Sequence, residues 1–549
     1  MHSISLRGAR IFCAALFSVF IVDASALALP DGFRASIEAG IANGRYRSVA
    51  VGLVEGDDHG EWLFGDVDKD GTKPTAQDAY ELGSTTRTFT GLLLAKTLLG
   101  GKLRLDDTLG RIFDDVHFSD ARLAAVTIGE LATHRAGLPA LPSNLFPRSI
   151  DDPYVEYDAA ALRAWLAHAK AESVGRYRYS DLGVALIGEA IARVEHRDYR
   201  SLVASEVLAP LAMTGSGFGR IPRLVEGWRD GEVVPSWQQQ VLSPASGLRA
   251  TLGDLSKFLA AQLRPDASAL RAAILLARDP RAVAGGGETA LAWQIVPVES
   301  DGQNWPLLWQ AGITGGFASF VGLRTDQQRA IVLLGNAGVD LSALGLALLA
   351  GHDAPPPPPK VIAMMPPASL AYEGWYRFDG GGDLIVRWSG TGLTAQVSGL
   401  LPQVMAAYDD DAFELAGDVS QLTFQRDADR VTGATLHFNG THLRAARLSE
   451  GAPTLKRNTT PSSAAELAPF AGDYAFTSAR RAHVVAATPG LRVQLTGTAP
   501  VFVRACAVDR FCDVDGTLEV AFARDAKNKV TALAWRQGVL EAKAARDDW

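Results

Sequence analysis

The segment that ends near residue 354 carries two hydrophobic periods. Apolar residues that recur every three or four positions predict helices, and these lie over 84–99, 160–169, 182–194 and 255–263. Runs typical of strands lie near both ends of the segment, at 48–54, 61–64, 316–323 and 330–334. Strands at both ends with helices between them predict an α+β domain. In such a domain one antiparallel sheet holds the terminal strands side by side, with helices packed on it.

Two matching segments with strand patterning follow this domain. Three pairs of motifs recur at a constant offset of 98 residues: 372–376 with 470–474, 392–396 with 490–494, and 424–427 with 522–525. A constant offset indicates two tandem copies of one fold. Alternating apolar and polar residues between Gly and Asp turns predict that each copy, 370–456 and 464–549, is a small antiparallel β-barrel, lipocalin-like in character, or a sandwich.

Two segments of unusual composition bound the first domain, 29–354. Five consecutive prolines at 355–359 open a linker over 355–369, because such a run favours polyproline II and cannot enter a helix or a central strand. Residues 1–28 combine Arg7 and Arg10, a short apolar run and small residues, which predicts a secretory signal peptide. The alternative is an uncleaved membrane anchor. We expect an exported mature chain with no stable membrane span.

Charge and cysteine content narrow the partners. The 549 residues carry a formal net charge of -8, which disfavours nucleic acid as a partner. No Cys/His cluster has the spacing of metal ligands, so we expect neither a metal nor another cofactor. Cys506 and Cys512 remain in the mature chain, and a local disulfide and two buried free thiols are both compatible with their spacing.

A serine precedes the most apolar predicted helix. In Gly83-Ser84-Thr85-Thr86-Arg87, Ser84 is expected at the first helical turn, where unpaired N–H groups and the helix dipole favour negative charge. Arg87 lies one turn further on and can come beside the hydroxyl. Taken alone, the pattern is more often a helix cap followed by a solvent-facing arginine.

Further motifs favour a catalytic interpretation. The phrase around Ser84 resembles the Ser-x-x-Lys motif of the serine β-lactamase and penicillin-binding-protein family, which includes class C β-lactamases, DD-peptidases, D-aminopeptidases and related esterases. Tyr179-Ser180-Asp181 is similar to the second family motif, Tyr-x-Asn, and Gln310-Ala311-Gly312 to the third, Lys-Thr-Gly or His-x-Gly. The resemblance covers about residues 31–350. It implies a β-lactamase/DD-peptidase-like fold, a Ser84 nucleophile, an oxyanion hole from the N–H groups of Ser84 and Ile313, and a bacterial periplasmic or secreted location.

Each motif departs from the family pattern once. Arg87 stands in place of lysine, and its guanidinium stays protonated and cannot accept the serine proton. Tyr179 is therefore the candidate general base, since an adjacent cation favours the phenolate. Asp181 stands in place of asparagine and is expected to meet Arg87 as an ion pair. Gln310 removes the cation that binds a substrate carboxylate.

These motifs predict a serine hydrolase that forms an acyl-enzyme at Ser84. Its substrate would be an ester or a D-amino-acid-containing peptide or amide, and a peptidoglycan-derived compound is one such substrate. A catalytically degenerate member that binds cell-wall fragments or a protein partner is the alternative, because the motif lysine is lost. A β-lactamase ranks below both, unless Arg249 supplies the missing charge. His134 is interpreted as a structural residue.

Overall fold

The computed structural model describes residues 27–547 apart from 148–150, 172–173, 230, 285–286, 301, 358–359, 361–367, 380–382, 389–391, 398–402, 416–420, 439–440, 449–461, 478–479, 497, 499, 514–517 and 538–539. All but the last two positions of the predicted signal peptide lie outside the described residues. In the part of the chain that is described, no helix has the length and apolar character needed to cross a bilayer.

An antiparallel sheet forms the centre of the first domain. The strands of this domain are β1 (Ser48–Glu55), β2 (Asp58–Gly65), β3 (Ala79–Glu81), β4 (Gly217–Phe218), β5 (Gly227–Arg229), β6 (Glu232–Val234), β7 (Leu248–Thr251), β8 (Ala282–Ala284), β9 (Gly287–Thr289), β10 (Gln294–Ser300), β11 (Gln303–Ile313), β12 (Ala318–Arg324) and β13 (Arg329–Gly335). The main sheet has the order β2-β1-β13-β12-β11-β10-β9-β8, so the predicted neighbours β1 and β13 are paired, with Val49 opposite Gly335.

Helices cover both faces of this sheet. The helices of the first domain are α1 (Asp31–Ala42), α2 (Thr86–Leu99), α3 (Leu109–Ile112), α4 (Ala121–Ala124), α5 (Ile128–Ala132), α6 (Ala159–His168), α7 (Asp181–Glu195), α8 (Tyr199–Val203), α9 (Ser243–Ser246), α10 (Leu252–Leu263), α11 (Arg271–Arg278) and α12 (Ser342–Ala350). Alternate residues of β1 enter separate cores: Val49 and Val51 pack with Phe33 of α1, whereas Ala50 packs with Leu255 of α10. Burial on both faces explains the continuous apolar run of this strand.

Two closed eight-stranded antiparallel barrels follow the first domain. Barrel 1 consists of β14 (Gly374–Phe378), β15 (Asp383–Trp388), β16 (Leu393–Val397), β17 (Gln403–Asp409), β18 (Ala412–Leu415), β19 (Gln421–Asp427), β20 (Arg430–Phe438) and β21 (Thr441–Arg447). Barrel 2 consists of β22 (Gly472–Thr477), β23 (Arg480–Ala487), β24 (Gly490–Leu495), β25 (Val501–Ala507), β26 (Arg510–Cys512), β27 (Leu518–Arg524), β28 (Val530–Gln537) and β29 (Leu540–Asp547), preceded by α13 (Ala464–Leu467).

The 98-residue repeat is preserved in side-chain contacts. The hydroxyl of Tyr376 donates to the carbonyl of Tyr372, and Tyr474 donates in the same way to Phe470. The predicted barrels are confirmed by the closed order of their strands, and neither copy is a sandwich. Cys506 and Cys512 form a disulfide between β25 and β26, which decides between the two alternatives left by the sequence.

Candidate active site

Ser84 lies on a 3-10 turn, Gly83–Thr85, directly ahead of α2. The sequence predicted the first turn of the helix itself, so this expectation is corrected by one short turn. Gly83 has a φ of +50°, a backbone conformation that favours glycine. This turn carries Ser84 out of the apolar helix that follows, whose first ten residues, from Thr86 to Ala95, are all buried.

The end of β11 packs directly on this turn. A Cβ atom on Gly312 would lie 2.5 Å from the backbone nitrogen of Ser84, and one on Gly83 would lie 2.7 Å from the backbone nitrogen of Ile313. Only glycine permits so close an approach of two backbones. The two segments whose N–H groups are the expected oxyanion hole, at Ser84 and Ile313, are therefore side by side.

The hydroxyl of Ser84 has two polar neighbours. Its Oγ lies 3.2 Å from the hydroxyl of Tyr179, and Nη2 of Arg87 donates a hydrogen bond to it over 3.1 Å. Tyr179 immediately precedes Ser180, whose side chain caps α7 by accepting a hydrogen bond from the N–H of Gly183. The cap fixes the start of α7, and with it the backbone next to Tyr179.

Arg87 and Asp181 form the ion pair expected from the sequence. The same Nη2 of Arg87 donates to Oδ1 of Asp181, the first residue of α7. The Arg87 side chain is 0% exposed and that of Asp181 is 25% exposed. Burial alone lowers the pKa of Arg87, but Tyr179 and Asp181 together raise it above its ordinary value, so the guanidinium stays charged. Burial raises the pKa of Asp181, and Arg87 opposes that rise.

Tyr179 is a neutral phenol in this site. Burial of the hydroxyl raises its pKa well above its usual range, although Arg87, whose guanidinium carbon lies 4.2 Å from the ring centroid, opposes the shift. The expectation of a phenolate held by the neighbouring cation is therefore wrong in its net direction, because desolvation outweighs the favourable charge. The residue as a whole is nevertheless 37% exposed and lines a cleft.

A cleft lined by Tyr179 and Gln310 carries no formal charge on its described side chains. Its described lining combines aromatic, amide and small side chains: Ala132, His134, Tyr177, Tyr179, Thr289, Ala290, Ala292, Trp293, Gln294 and Gln310. Gln310 is 4% exposed, donates to the carbonyl of Ala292 over 3.2 Å, and accepts from Gln294 over 3.3 Å. The third motif thus contributes a fixed amide where the family pattern has a cation.

Arg249 does not replace that cation. It is 2% exposed, and its Nη2 donates to Glu81 over 3.0 Å and to the carbonyl of Trp237 over 2.8 Å. These contacts tie β7 to β3 and to the segment before α9. The sequence-based suggestion that Arg249 supplies a charge to the substrate is therefore wrong.

His134 is a structural neighbour of the site. Its Nδ1 accepts a hydrogen bond from the N–H of Ser180 over 3.3 Å, and its ring lies 5.1 Å from that of Tyr179. Burial, assisted by the charge of Arg87, lowers its pKa to about 3, so it is neutral at ordinary pH. This placement agrees with the structural interpretation of the sequence.

One cluster of side chains brings together atoms of the kinds that bind metals. Within the described ranges it comprises Cys506, Cys512 and Glu519 in barrel 2. Both sulfurs belong to the disulfide, and the carboxylate of Glu519 pairs with Arg536 over 3.0 Å and with Arg510 over 3.4 Å. This group therefore offers no thiolate to an ion.

The profile of the family described as "Beta-lactamase" matches residues 33–351, which is more than half of the chain. The chain belongs to the beta-lactamase family. Members of this family are mostly serine hydrolases, which supports an enzyme of that class. The match covers the first domain, including all three motifs, and ends before the barrels.

Curated relatives share moderate similarity. A beta-lactamase of Escherichia coli (strain K12) is 23% identical over 50% of this chain and 79% of its own length. A beta-lactamase of Psychrobacter immobilis is 25% identical over 38% of this chain and 52% of its own length. The class C beta lactamase structure from Rhodobacter sphaeroides aligns with a TM-score of 0.50 and 19% identity, covering 56% of this chain and 94% of that one, which shows the shared fold.

Sequence reasoning missed two polar members of the beta-lactamase-like cleft. Tyr177 lies two residues before Tyr179, 39% exposed, and joins the cleft wall. Gln294 begins β10 and holds Gln310. Neither belongs to a family motif, and the contact between Gln294 and Gln310 depends on the pairing of β10 with β11, which the sequence did not specify.

Proposed function

We propose that this protein is a serine hydrolase that forms an acyl-enzyme at Ser84 with an ester or a D-amino-acid-containing peptide or amide, and that an uncharged ester is the preferred class. The observation that carries the proposal is the position of the Ser84 hydroxyl. It contacts Tyr179 and Arg87, and the turn that carries Ser84 packs against the backbone of Gly312 and Ile313.

Acylation begins with attack of Ser84 Oγ on the carbonyl carbon of the substrate. The Ser84 proton passes to the hydroxyl oxygen of Tyr179 while the Tyr179 proton passes to the leaving-group oxygen or nitrogen, so the phenol is neutral before and after the step. The bond from the carbonyl carbon to the leaving group breaks, and an ester bond to Ser84 Oγ remains. Water then enters by the reverse relay and releases the acid. This concerted route fits a phenol whose pKa is raised, because no phenolate has to accumulate.

The charged pair supports this relay without taking part in proton transfer. Arg87 donates to Ser84 Oγ and lies against the face of Tyr179, so both reacting hydroxyls are oriented by one buried group. Asp181 neutralises Arg87 and holds its guanidinium in place. Negative charge that develops on the substrate carbonyl oxygen would be stabilised by the N–H groups of Ser84 and Ile313.

The uncharged cleft favours a neutral substrate. A substrate carboxylate meets Gln310 where the family pattern has a cation, and Arg249 is already paired with Glu81. A substrate ammonium meets no carboxylate among the described lining residues. Asp181 lies outside that lining and is paired with Arg87. Aromatic side chains and two amides suit an uncharged acyl group. A peptidoglycan-derived amide therefore ranks behind a neutral ester, and a β-lactam carrying a carboxylate ranks behind both.

We further propose that the chain is exported to the periplasm or outside a bacterial cell. Two features support this: the N-terminal sequence has the composition of a signal peptide, and the disulfide between Cys506 and Cys512 is of a kind that persists in oxidising compartments. The expected partner is a small-molecule or peptide substrate, not a nucleic acid.

A non-catalytic binding protein is the second candidate. The specific observation in its favour is that Arg87 cannot accept a proton and that the pKa of Tyr179 is raised. Treatment of the mature protein with a fluorophosphonate, followed by peptide mapping, separates the two. We expect a phosphonyl adduct on Ser84 that is absent from Ser84→Ala, and a folded wild type without the adduct would favour the binding protein.

A further inference from the structure

One segment of the first domain holds the backbone of the second motif. The carbonyl of Ala140 accepts hydrogen bonds from the N–H groups of Asp181 over 3.0 Å and Leu182 over 3.2 Å, and the carbonyl of Pro139 accepts from the Ser180 hydroxyl over 2.6 Å. Amides at a helix start have no partner within the helix, so their bonds to this segment fix the start of α7. The position of Asp181, and of Tyr179 just before it, therefore depends on residues 139–140.

Barrel 2 contacts the same segment a few residues further along the chain. Thr496 donates through Oγ1 to the carbonyl of Ser143 over 2.9 Å, and Gln494 donates through Nε2 to the carbonyl of Pro147 over 2.6 Å. The ring of His483 stacks on Phe146 with centroids 5.0 Å apart. Gln494 is 8% exposed and Thr496 is 6% exposed, so the contact is enclosed by protein. Buried hydrogen bonds of this kind are costly to leave unmade.

The same position of the repeat forms a hydrogen bond to a neighbouring domain in both copies. Gln494 of barrel 2 corresponds, at the 98-residue offset, to Gln396 of barrel 1. Gln396 is 7% exposed and donates through Nε2 to the carbonyl of Thr496 over 3.2 Å. One glutamine thus joins barrel 1 to barrel 2, and its counterpart joins barrel 2 to the first domain.

We propose that Gln494, Thr496 and His483 of barrel 2 are positioning residues for the active site. By fixing residues 143–147 they fix the Ala140 carbonyl, and through it Tyr179 and Asp181 relative to Ser84. The effect on the hydrolytic rate rests on the proposed function, whereas the effect on the backbone at the start of α7 does not. The barrels are then working parts of the site rather than independent appendages.

The test combines hydrogen exchange with ester hydrolysis on the full chain. The variant Gln494→Ala/Thr496→Val removes the Gln494 and Thr496 donors to the segment. Gln396→Ala is the matched control, since it removes the corresponding donor of barrel 1, whose hydrogen bond joins the two barrels. In the double variant we expect the amides of Asp181 and Leu182 to exchange about 2- to 10-fold faster, the effect of losing about one net hydrogen bond. For p-nitrophenyl butyrate, kcat falls by a similar factor and KM is unchanged.

Rescue and folding controls complete the design. Thr496→Ser, made in place of Thr496→Val, keeps the hydroxyl and is expected to restore exchange and kcat part of the way; Thr496→Val alone serves if the double variant does not fold. Unchanged exchange at Asp181 and Leu182 in a folded variant overturns the proposal, as does an equal change in Gln396→Ala. If the wild type hydrolyses no ester while exchange accelerates in the variant, the positioning role stands and the proposed hydrolase fails.

Discussion

Arg87, whose side chain is fully buried, donates a hydrogen bond to the carboxylate of Asp181 at the first turn of α7. Each residue departs from the family motif, and each would be costly to bury without the other. Their pairing means that the two departures compensate structurally. The same guanidinium donates a hydrogen bond to Ser84, so a substitution of either residue is expected to alter the environment of the reacting hydroxyl.

A thermal- or denaturant-unfolding cycle tests this compensation. We expect Arg87→Ala to lower the free energy of unfolding by about 3 kcal/mol, because it leaves the Asp181 carboxylate without its buried partner. The double variant Arg87→Ala/Asp181→Ala should recover about 1–2 kcal/mol of that loss. Additive costs of the two single substitutions would show that the pair does not couple.

The buried neutral His134 predicts a loss of stability in acid. Its pKa is lowered to about 3 in the folded protein, whereas about 6.5 is usual for an unfolded chain. Its contribution is complete above about pH 6.5 and is lost as pH falls toward the folded pKa, because the unfolded chain then binds a proton that the folded chain refuses. At about pH 4.5 this loss is about 2–3 kcal/mol relative to neutral pH.

His134→Asn isolates that term. Asparagine does not titrate, can accept the Ser180 hydrogen bond, and tolerates the φ of +55° found at this position. Denaturant unfolding at both pH values should show a smaller acid loss in the variant than in the wild type, by about 2–3 kcal/mol. The same acid loss in both proteins would mean that His134 is protonated in the fold.

Gln310 predicts how substrate charge is selected. Gln310→Lys should raise kcat/KM for a carboxylate-bearing ester, relative to a matched neutral ester, by about tenfold or more, and Gln310→Glu should lower the ratio. The physical reason is that no described side chain of this cleft carries a formal charge, so a charge introduced at position 310 has no competitor there. Paired assays on the two esters measure the ratio, and an unchanged ratio in both variants would refute selection at this position.

Much of the architecture follows from the chain's periodicity. The apolar runs at 48–54 and 330–334 correspond to β1 and β13, and the two segments related by the constant 98-residue offset are two closed barrels. The start of α7 at Asp181 was also predictable, since Ser180 is a good helix cap. Local sequence determines such features, so a single chain suffices to find them.

Features that depend on long-range packing could not be predicted. The pKa of Tyr179 is set by how deeply its hydroxyl is buried, and the sequence revealed only the neighbouring cation. The partner of Arg249 is Glu81 because β3 pairs with β7, a pairing that no local pattern specifies. The contact of Gln494 with Pro147 joins residues 347 positions apart.

The most direct test is to look for an acyl group on Ser84. The protein is mixed with p-nitrophenyl butyrate and rapidly quenched, and the adduct is located by intact mass and peptide mapping. We expect a butyryl adduct on Ser84 in the wild type and none in Ser84→Ala. Tyr179→Phe keeps the ring over Arg87, and we expect its acylation rate to fall by at least about 100-fold. The matched control Tyr177→Phe should acylate at a rate far closer to that of the wild type. A folded wild type without the adduct, or equal acylation rates in Tyr179→Phe and the wild type, would contradict the proposed mechanism.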